Sequence, residues 1–144
     1  MIKIIIYLIL SLSTITYGHK IKPLTDDYRH ERISISKYIG TPYKYGGNDL
    51  KGIDCSALIE KIYKDEMGID IPRTSNEISK IGIEVDTLKL YDIMIFKHHV
   101  AMYLGNDRFI HATSSKGVII DSIGNNSWNY YWKYRYKKSI RVES

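Results

Sequence analysis

The spacing of apolar residues changes character along this chain. Ile4 to Leu12 is almost wholly apolar. From Tyr28 to Ile81 apolar residues recur every three or four positions, the period of a half-buried helix; from Ile93 onward they alternate or gather in short runs, the period of strands. A first helix is expected with Asp26 or Asp27 as cap, Tyr28, Ile35, Tyr38 and Ile39 near one face, and Gly40 as its end. Thr41 to Gly52, punctuated by Pro42, Gly46, Gly47 and Gly52, reads as loop. The clearest helix starts after Asp54, carries the stripe Leu58, Ile59, Ile62 and Tyr63, and stops at Gly68. Thr74-Ser75-Asn76-Glu77 is a capping box, with Thr74 and Glu77 each expected to serve the other's backbone N–H, opening a short helix through Ile78 and Ile81. Asp92–Phe96, His99–Leu104, Arg108–Ala112, Gly117–Ile123 and Ser139–Val142 read as strands, with turns at Gly105-Asn106-Asp107 and Ser114-Ser115-Lys116-Gly117. Helices followed by a strand meander define an α+β domain.

The 144 residues suffice for one domain with its own core. The apolar start is expected to stand outside it. A basic Lys3, a short apolar run and small residues around Thr16 and Gly18 make residues 1–18 a secretory signal peptide, and 19–144 a single domain. The run is shorter than the ~20 residues of a membrane span, and no cysteine follows it for a lipid anchor. An exported protein of the periplasm or outer envelope, without a stable membrane anchor after cleavage and monomeric, is the expectation. The formal charge of +5 falls by one when Lys3 is removed. Lys133, Arg135, Lys137, Lys138 and Arg141 alternate with tyrosines near the C-terminus. For an exported chain this stretch reads as a solvated basic strand and loop, or as weak attraction to anionic wall polymers, and not as a nucleic-acid site.

Candidate chemistry centres on one cysteine. Cys55 has no partner for an internal disulfide. It stands at a helix start, where free N–H groups and the helix dipole are expected to lower a thiol's pKa. It is either a small buried thiol or a nucleophile that needs a base and an orienting group. His19 and His30 are expected to be exposed. His98 and His99 open a predicted strand and point to opposite faces. His99, sharing its face with Ala101 and Tyr103, is expected to look toward the Cys55 helix. His111 lies on the next strand, about as far beyond the turn as His99 lies before it, so the two are expected to be neighbours across the pair. Zinc is disfavoured because no close ligand pair is present, and neither metal nor other cofactor is expected.

Five segments then line up with a known pattern. Pro42-Tyr43-Lys44-Tyr45-Gly46-Gly47, Gly52-Ile53-Asp54-Cys55-Ser56, Ile71-Pro72-Arg73-Thr74-Ser75, His99-Val100-Ala101-Met102-Tyr103-Leu104-Gly105 and Phe109-Ile110-His111-Ala112 occur in that order. Together they resemble the NlpC-type cysteine peptidases, papain-like enzymes that cut bacterial cell-wall peptides. The resemblance implies a papain-like α+β fold. It assigns Cys55 as nucleophile, His99 as base and then acid, and His111 as the third, orienting member. It places Tyr43 near the reacting carbonyl beside the Cys55 N–H. Asp54 and Ser56 flank the nucleophile and either read the peptide's polar ends or merely cap and start the helix. Arg73 either meets a substrate carboxylate or ties a loop. Departures from the pattern are Ala57 and Ala101 for glycines, a two-residue Lys97-His98 loop, and Tyr91 before Asp92. If that last turn needs a positive φ, Tyr91 costs about 1–2 kcal/mol.

The expected partner is therefore a peptidoglycan peptide and the expected reaction amide hydrolysis, at a D-glutamyl–diamino-acid bond or at a D-Ala–diaminopimelate cross-link. Rivals on the same fold are a non-catalytic wall-binding module and a secreted antibacterial lysin or toxin. A lipid acyltransferase would want an anchor or apolar lid that the sequence does not display.

Overall fold

The computed structural model describes residues 35–143. The expectations for the leader, for His19 and His30 and for the start of the first helix lie outside the described residues. Of that helix's predicted face, Ile35 and Tyr38 are buried while Ile39 is exposed. Gly40 adopts φ +84° as the chain turns away.

A two-strand ribbon, β1 (Asn48–Asp49) and β2 (Gly52–Ile53), leads into helix α1 (Cys55–Met67). Asp54 caps α1 in an extended conformation, its carboxylate accepting the Ala57 N–H, and Gly68 ends it with a left-handed φ of 66°. Leu58, Ile59, Ile62 and Tyr63 are all buried, as their spacing predicts. Helix α2 is only Ser75–Ile78. Thr74 accepts the Glu77 N–H as expected, but Glu77 turns its carboxylate to the Thr74 hydroxyl at 2.6 Å instead of the backbone. The capping box is half made, and the helix stops a turn short of Ile81.

Strands β3 (Ile83–Val85), β4 (Ile93–Phe96), β5 (His99–Gly105), β6 (Arg108–Thr113), β7 (Gly117–Ser122) and β8 (Tyr136–Arg141) form one antiparallel sheet in the order β3-β8-β4-β5-β6-β7. The short edge strand β3 has no counterpart in the sequence reading, and β8 starts three residues early. Asn106 and Asp107 both have positive φ in the two-residue turn between Gly105 and Arg108, the twist that suits a hairpin.

The sheet is covered on both faces. Helix α1 packs on Ile93, Ile95, Val100, Met102, Ile110 and Ile140. The opposite face, with Met94, Phe96, Ala101 and Phe109, is covered by Trp128 and Trp132 of a π-helical turn, Trp128–Trp132. This corrects the expected orientation of β5. Ala101 and Tyr103 turn away from α1, not toward it. His98 is not in the strand at all; it sits in the hairpin loop with φ 59°, and β5 begins at His99. Among the described residues no helix is long and apolar enough to cross a membrane.

Candidate active site

Cys55 is the first residue of α1, and its backbone conformation follows from the Asp54 cap. Asp54 is a hub. Its carboxylate accepts from the N–H groups of Gly46 and Ala57 at 3.0 and 2.9 Å and from the Ser56 hydroxyl at 3.2 Å. Arg73 grips it with both terminal nitrogens at 3.0 and 2.9 Å and also donates to Ser56 at 2.9 Å and to the Gly47 carbonyl at 3.3 Å. Arg73 thereby ties the glycine loop to the start of α1, and it holds Asp54 below the usual carboxylate range against the opposing effect of burial. Gly47 has to be glycine here, since a Cβ would lie 2.3 Å from the Gly52 carbonyl oxygen. The Ile53 N–H donates to the Pro42 carbonyl and the Lys44 N–H to the Ile53 carbonyl, which presses the Tyr43 segment against β2.

His99 and His111 are both buried, and His99 Nε2 lies 2.9 Å from His111 Nδ1. They are diagonal neighbours, not opposite ones. The pairing runs Met102↔Ile110 and Tyr103↔Phe109, a register that sets His111 opposite Ala101, two residues from His99, and the irregularity before Gly105↔Arg108 is what brings the two histidines onto one face. The next strand adds a residue that sequence reading missed. Asp121 is 7 % exposed and lies on the His111 side of β7, where Phe109↔Asp121 and His111↔Ile119 are paired. Its Oδ2 stands 3.5 Å from His111 Nε2, a fully buried atom with no formed hydrogen bond. Its Oδ1 accepts from the Asn125 side chain and, at 3.1 Å, from the Ser122 N–H. A carboxylate inside the apolar run Val118-Ile119-Ile120-Asp121 was the available signal. Trp132 was missed as well: it stacks on His99 with centroids 4.6 Å apart and meets His111 edge-on at 4.8 Å.

One cleft of about 810 Å³ collects these groups. Tyr43, Cys55, His99, Asp121, Tyr131 and Trp132 line it, with Lys97, His98, Lys116 and Arg135 among its charged or titratable residues. Asp54, Ser56 and Arg73 are not part of its lining; they hold the start of α1 in place.

The electrostatics correct another expectation. Burial pushes the Cys55 thiol up, and the Asp54 charge adds to that. The N–H groups of Val100, Ser56 and Cys55 itself pull it down without overcoming burial. Burial pushes both imidazoles well below the ordinary histidine range. His111 depresses His99 further, while Asp121 pulls His111 back up. Thiol and imidazoles are therefore neutral at rest, and the helix start does not make a standing thiolate. With a neutral pair, a proton on His111 Nε2 facing Asp121 leaves Nδ1 bare. His99 Nε2–H then donates to it, and the remaining nitrogen, His99 Nδ1, is a free acceptor.

Comparison with known proteins places this fold in a family. Residues 40–139 match the model of the NlpC/P60 family, and the chain belongs to that family. It is 37 % identical over 112 residues to the murein DD-endopeptidase MepS/murein LD-carboxypeptidase of Escherichia coli K12, a match covering 73 % of this chain and 57 % of that protein. It is also 37 % identical over 116 residues to the gamma-DL-glutamyl hydrolase of Bacillus subtilis 168, covering 72 % of this chain and 27 % of that protein. A crystal structure of an NlpC/P60 family protein from Bacillus cereus ATCC 10987 superposes with a TM-score of 0.69 at 30 % identity, over 79 % of this chain and 39 % of the other. The α+β, papain-like arrangement read from the sequence is the one these relatives share.

Proposed function

We propose that this protein is a cysteine peptidase hydrolysing amide bonds of peptidoglycan peptides, with Cys55 as nucleophile, His99 as base and then acid, and His111 orienting His99. The observation that carries the reading is a cleft lined by Tyr43, Cys55 and His99, with the buried His111 hydrogen-bonded to His99 behind its wall.

The Cys55 sulfur attacks the amide carbonyl carbon while its proton passes to His99 Nδ1. Because both partners start neutral, transfer accompanies attack instead of preceding it. The Cys55 N–H and the Tyr43 hydroxyl stabilise the oxyanion. His99 returns the proton to the leaving nitrogen as the C–N bond breaks, which leaves a thioester on Cys55. Water then gives a proton to His99 and attacks the thioester, releasing the carboxylic acid and restoring the thiol. Asp54, Ser56 and Arg73 act by fixing the helix start.

The bond assigned is the D-Ala–diaminopimelate cross-link, supported by likeness to a murein DD-endopeptidase. A second reading, cleavage of the D-glutamyl–diamino-acid bond within a stem, is favoured by likeness to a gamma-DL-glutamyl hydrolase. Residues 1–18 export the protein to the envelope, where residues 19–144 act as the peptidase domain. Digestion of purified sacculi with the protein and with Cys55→Ala, followed by muropeptide separation, tests the assignment. New monomers from dimers are expected. Shortened stems would select the second bond, and identical profiles from both proteins would reduce the domain to a wall-binding module.

A further inference from the structure

We propose that the cleft wall beside His99 recognises a free carboxylate on the leaving residue, so the preferred substrate is an amide whose leaving amine sits on a carbon bearing an unblocked carboxylate. This rests on the peptidase reading. Lys97 and His98 form the turn that leads into His99, and the Lys97 N–H donates to the Arg135 carbonyl at 2.8 Å. The Arg135 guanidinium lies 3.7 Å over the Tyr131 ring, and the Arg135 backbone N–H donates to the carbonyl of Trp132, the residue stacked on His99. Arg135 is thus held in place beside the base by an aromatic face. Lys116 also lines the cleft, two residues before Val118, whose N–H donates to the Thr41 carbonyl beside the Tyr43 segment.

Among the described residues none of Lys97, Lys116 and Arg135 is in an ion pair. Asp121 is the one carboxylate lining the cleft, and it is already engaged by Asn125 and faces His111. Uncompensated like charges around one cleft repel each other until an anion enters. Since His99 protonates the leaving amine, the wall beside it holds the leaving residue. At a D-Ala–diaminopimelate cross-link that amine's own carbon carries a free carboxylate. At the glutamyl bond within a stem the corresponding carboxyl is normally tied up in the next amide. The charge therefore favours the cross-link.

Two muropeptide dimers, with that carboxylate free or converted to carboxamide, are titrated calorimetrically into the Cys55→Ala protein. The carboxylate form is expected to bind at least about tenfold more tightly, with the gap narrowing at high salt. In Cys55→Ala carrying Lys97→Gln and Arg135→Gln, the preference should shrink to below about twofold. Equal binding of the two dimers by Cys55→Ala overturns the inference. Turnover by the unmodified protein separates the two claims. Preference without cleavage sinks the peptidase reading, and with it the leaving-residue assignment, leaving only a carboxylate-binding cleft. Cleavage without preference overturns this inference and leaves the peptidase reading.

An independent observation carries a second inference: the geometry points to Asp121 as a positioning residue for the histidine pair. His111 Nε2 is wholly buried, faces Asp121 Oδ2 at 3.5 Å, and has no formed hydrogen bond among the described residues. The carboxylate fixes the His111 proton on Nε2, which leaves Nδ1 to accept from His99 and frees His99 Nδ1 for the thiol. Asp121 is itself anchored by Asn125 and the Ser122 N–H. Asp121→Asn keeps the shape and removes the charge. It should lower kcat at least about tenfold with KM little changed. Nitrogen NMR of the imidazoles should report Nε2–H on His111 in the parent and a mixture of tautomers in the variant, and Asp121→Glu should recover part of kcat. An unchanged tautomer together with kcat within about twofold of the parent overturns it.

Discussion

At the scale of single residues, the site is defined by neutral groups that burial keeps neutral. Cys55 and His99 are each only 9 % exposed, and His111 is inaccessible. A thiolate at the start of α1 would gain from the dipole and from three N–H groups, but the desolvation cost and the nearby Asp54 charge outweigh them. Iodoacetamide alkylation of Cys55 should therefore be slow near neutral pH. It should accelerate only above about pH 8.5, the ordinary thiol range. Fast alkylation at mildly acidic pH, the signature of a preformed thiolate–imidazolium pair, would show that burial does not control the site. A linked consequence concerns kcat/KM, which should not show an acid limb near the ordinary histidine value of about 6.5. His99, the base of the proposed reaction, is already neutral there, and loss of activity belongs to a lower pH at which the depressed imidazoles finally protonate.

At the scale of elements, the β6–β7 hairpin and the Tyr43 segment are locked backbone to backbone. The Gly40 N–H donates to the Val118 carbonyl and the Val118 N–H to the Thr41 carbonyl, at 2.9 and 3.0 Å. Gly117 makes this approach possible: its φ is +69°, and a Cβ there would lie 2.3 Å from the Thr41 oxygen. Gly117→Ala combines a left-handed strain with a backbone clash and should destabilise the protein by more than about 3 kcal/mol. A denaturant midpoint reads the stability. A loss below about 1 kcal/mol would mean that the hairpin and the segment part easily.

The same elements show what pattern can and cannot carry. The strand positions from Ile93 to Ser122 were legible because a sheet covered on both faces calls for short apolar runs bounded by turn residues, and the Asn106-Asp107 turn because short polar residues tolerate positive φ. Which face meets α1 was not legible, since alternation defines two faces without naming the one a helix will cover. That His99 and His111 share a face depends on a register shift before Gly105↔Arg108 that leaves no mark in residue type. Trp132 hid in a tyrosine-rich basic stretch with no period, because a π-helical turn has none that an α or β template detects. Tyr91 was readable in advance: its φ is 71°, the strained value expected of a residue standing in for glycine.

At the scale of the whole molecule, the buried site sets the pH range in which the fold is stable. His99 and His111 have native pKa values below the unfolded ones, so between the two values the unfolded chain binds more protons. Stability is then complete above the unfolded histidine value, about 6.5, and declines below it by about 1.4 kcal/mol per pH unit for each histidine until its native pKa is reached. Asp54, Asp65 and Asp121, whose native values are depressed, add a second loss only below about pH 4. On the alkaline side the signs reverse. The raised Cys55 thiol holds its proton in the native state while the unfolded thiol loses it, so stability falls again above about pH 8.5. Buried Tyr38 and Tyr63, also raised, extend that fall above about pH 10. Denaturant titrations across pH should give a plateau from about 6.5 to 8.5, with a clear decline already present near pH 5.5. Imidazole NMR of the native protein provides a check that needs no mutant: the His99 and His111 ring resonances should not titrate between about pH 7.5 and 5. If both rings titrate normally in that interval, the site is open to water in solution. The acid decline would then have to arise elsewhere, and the neutral resting pair on which attack and proton transfer are coupled would be lost with it.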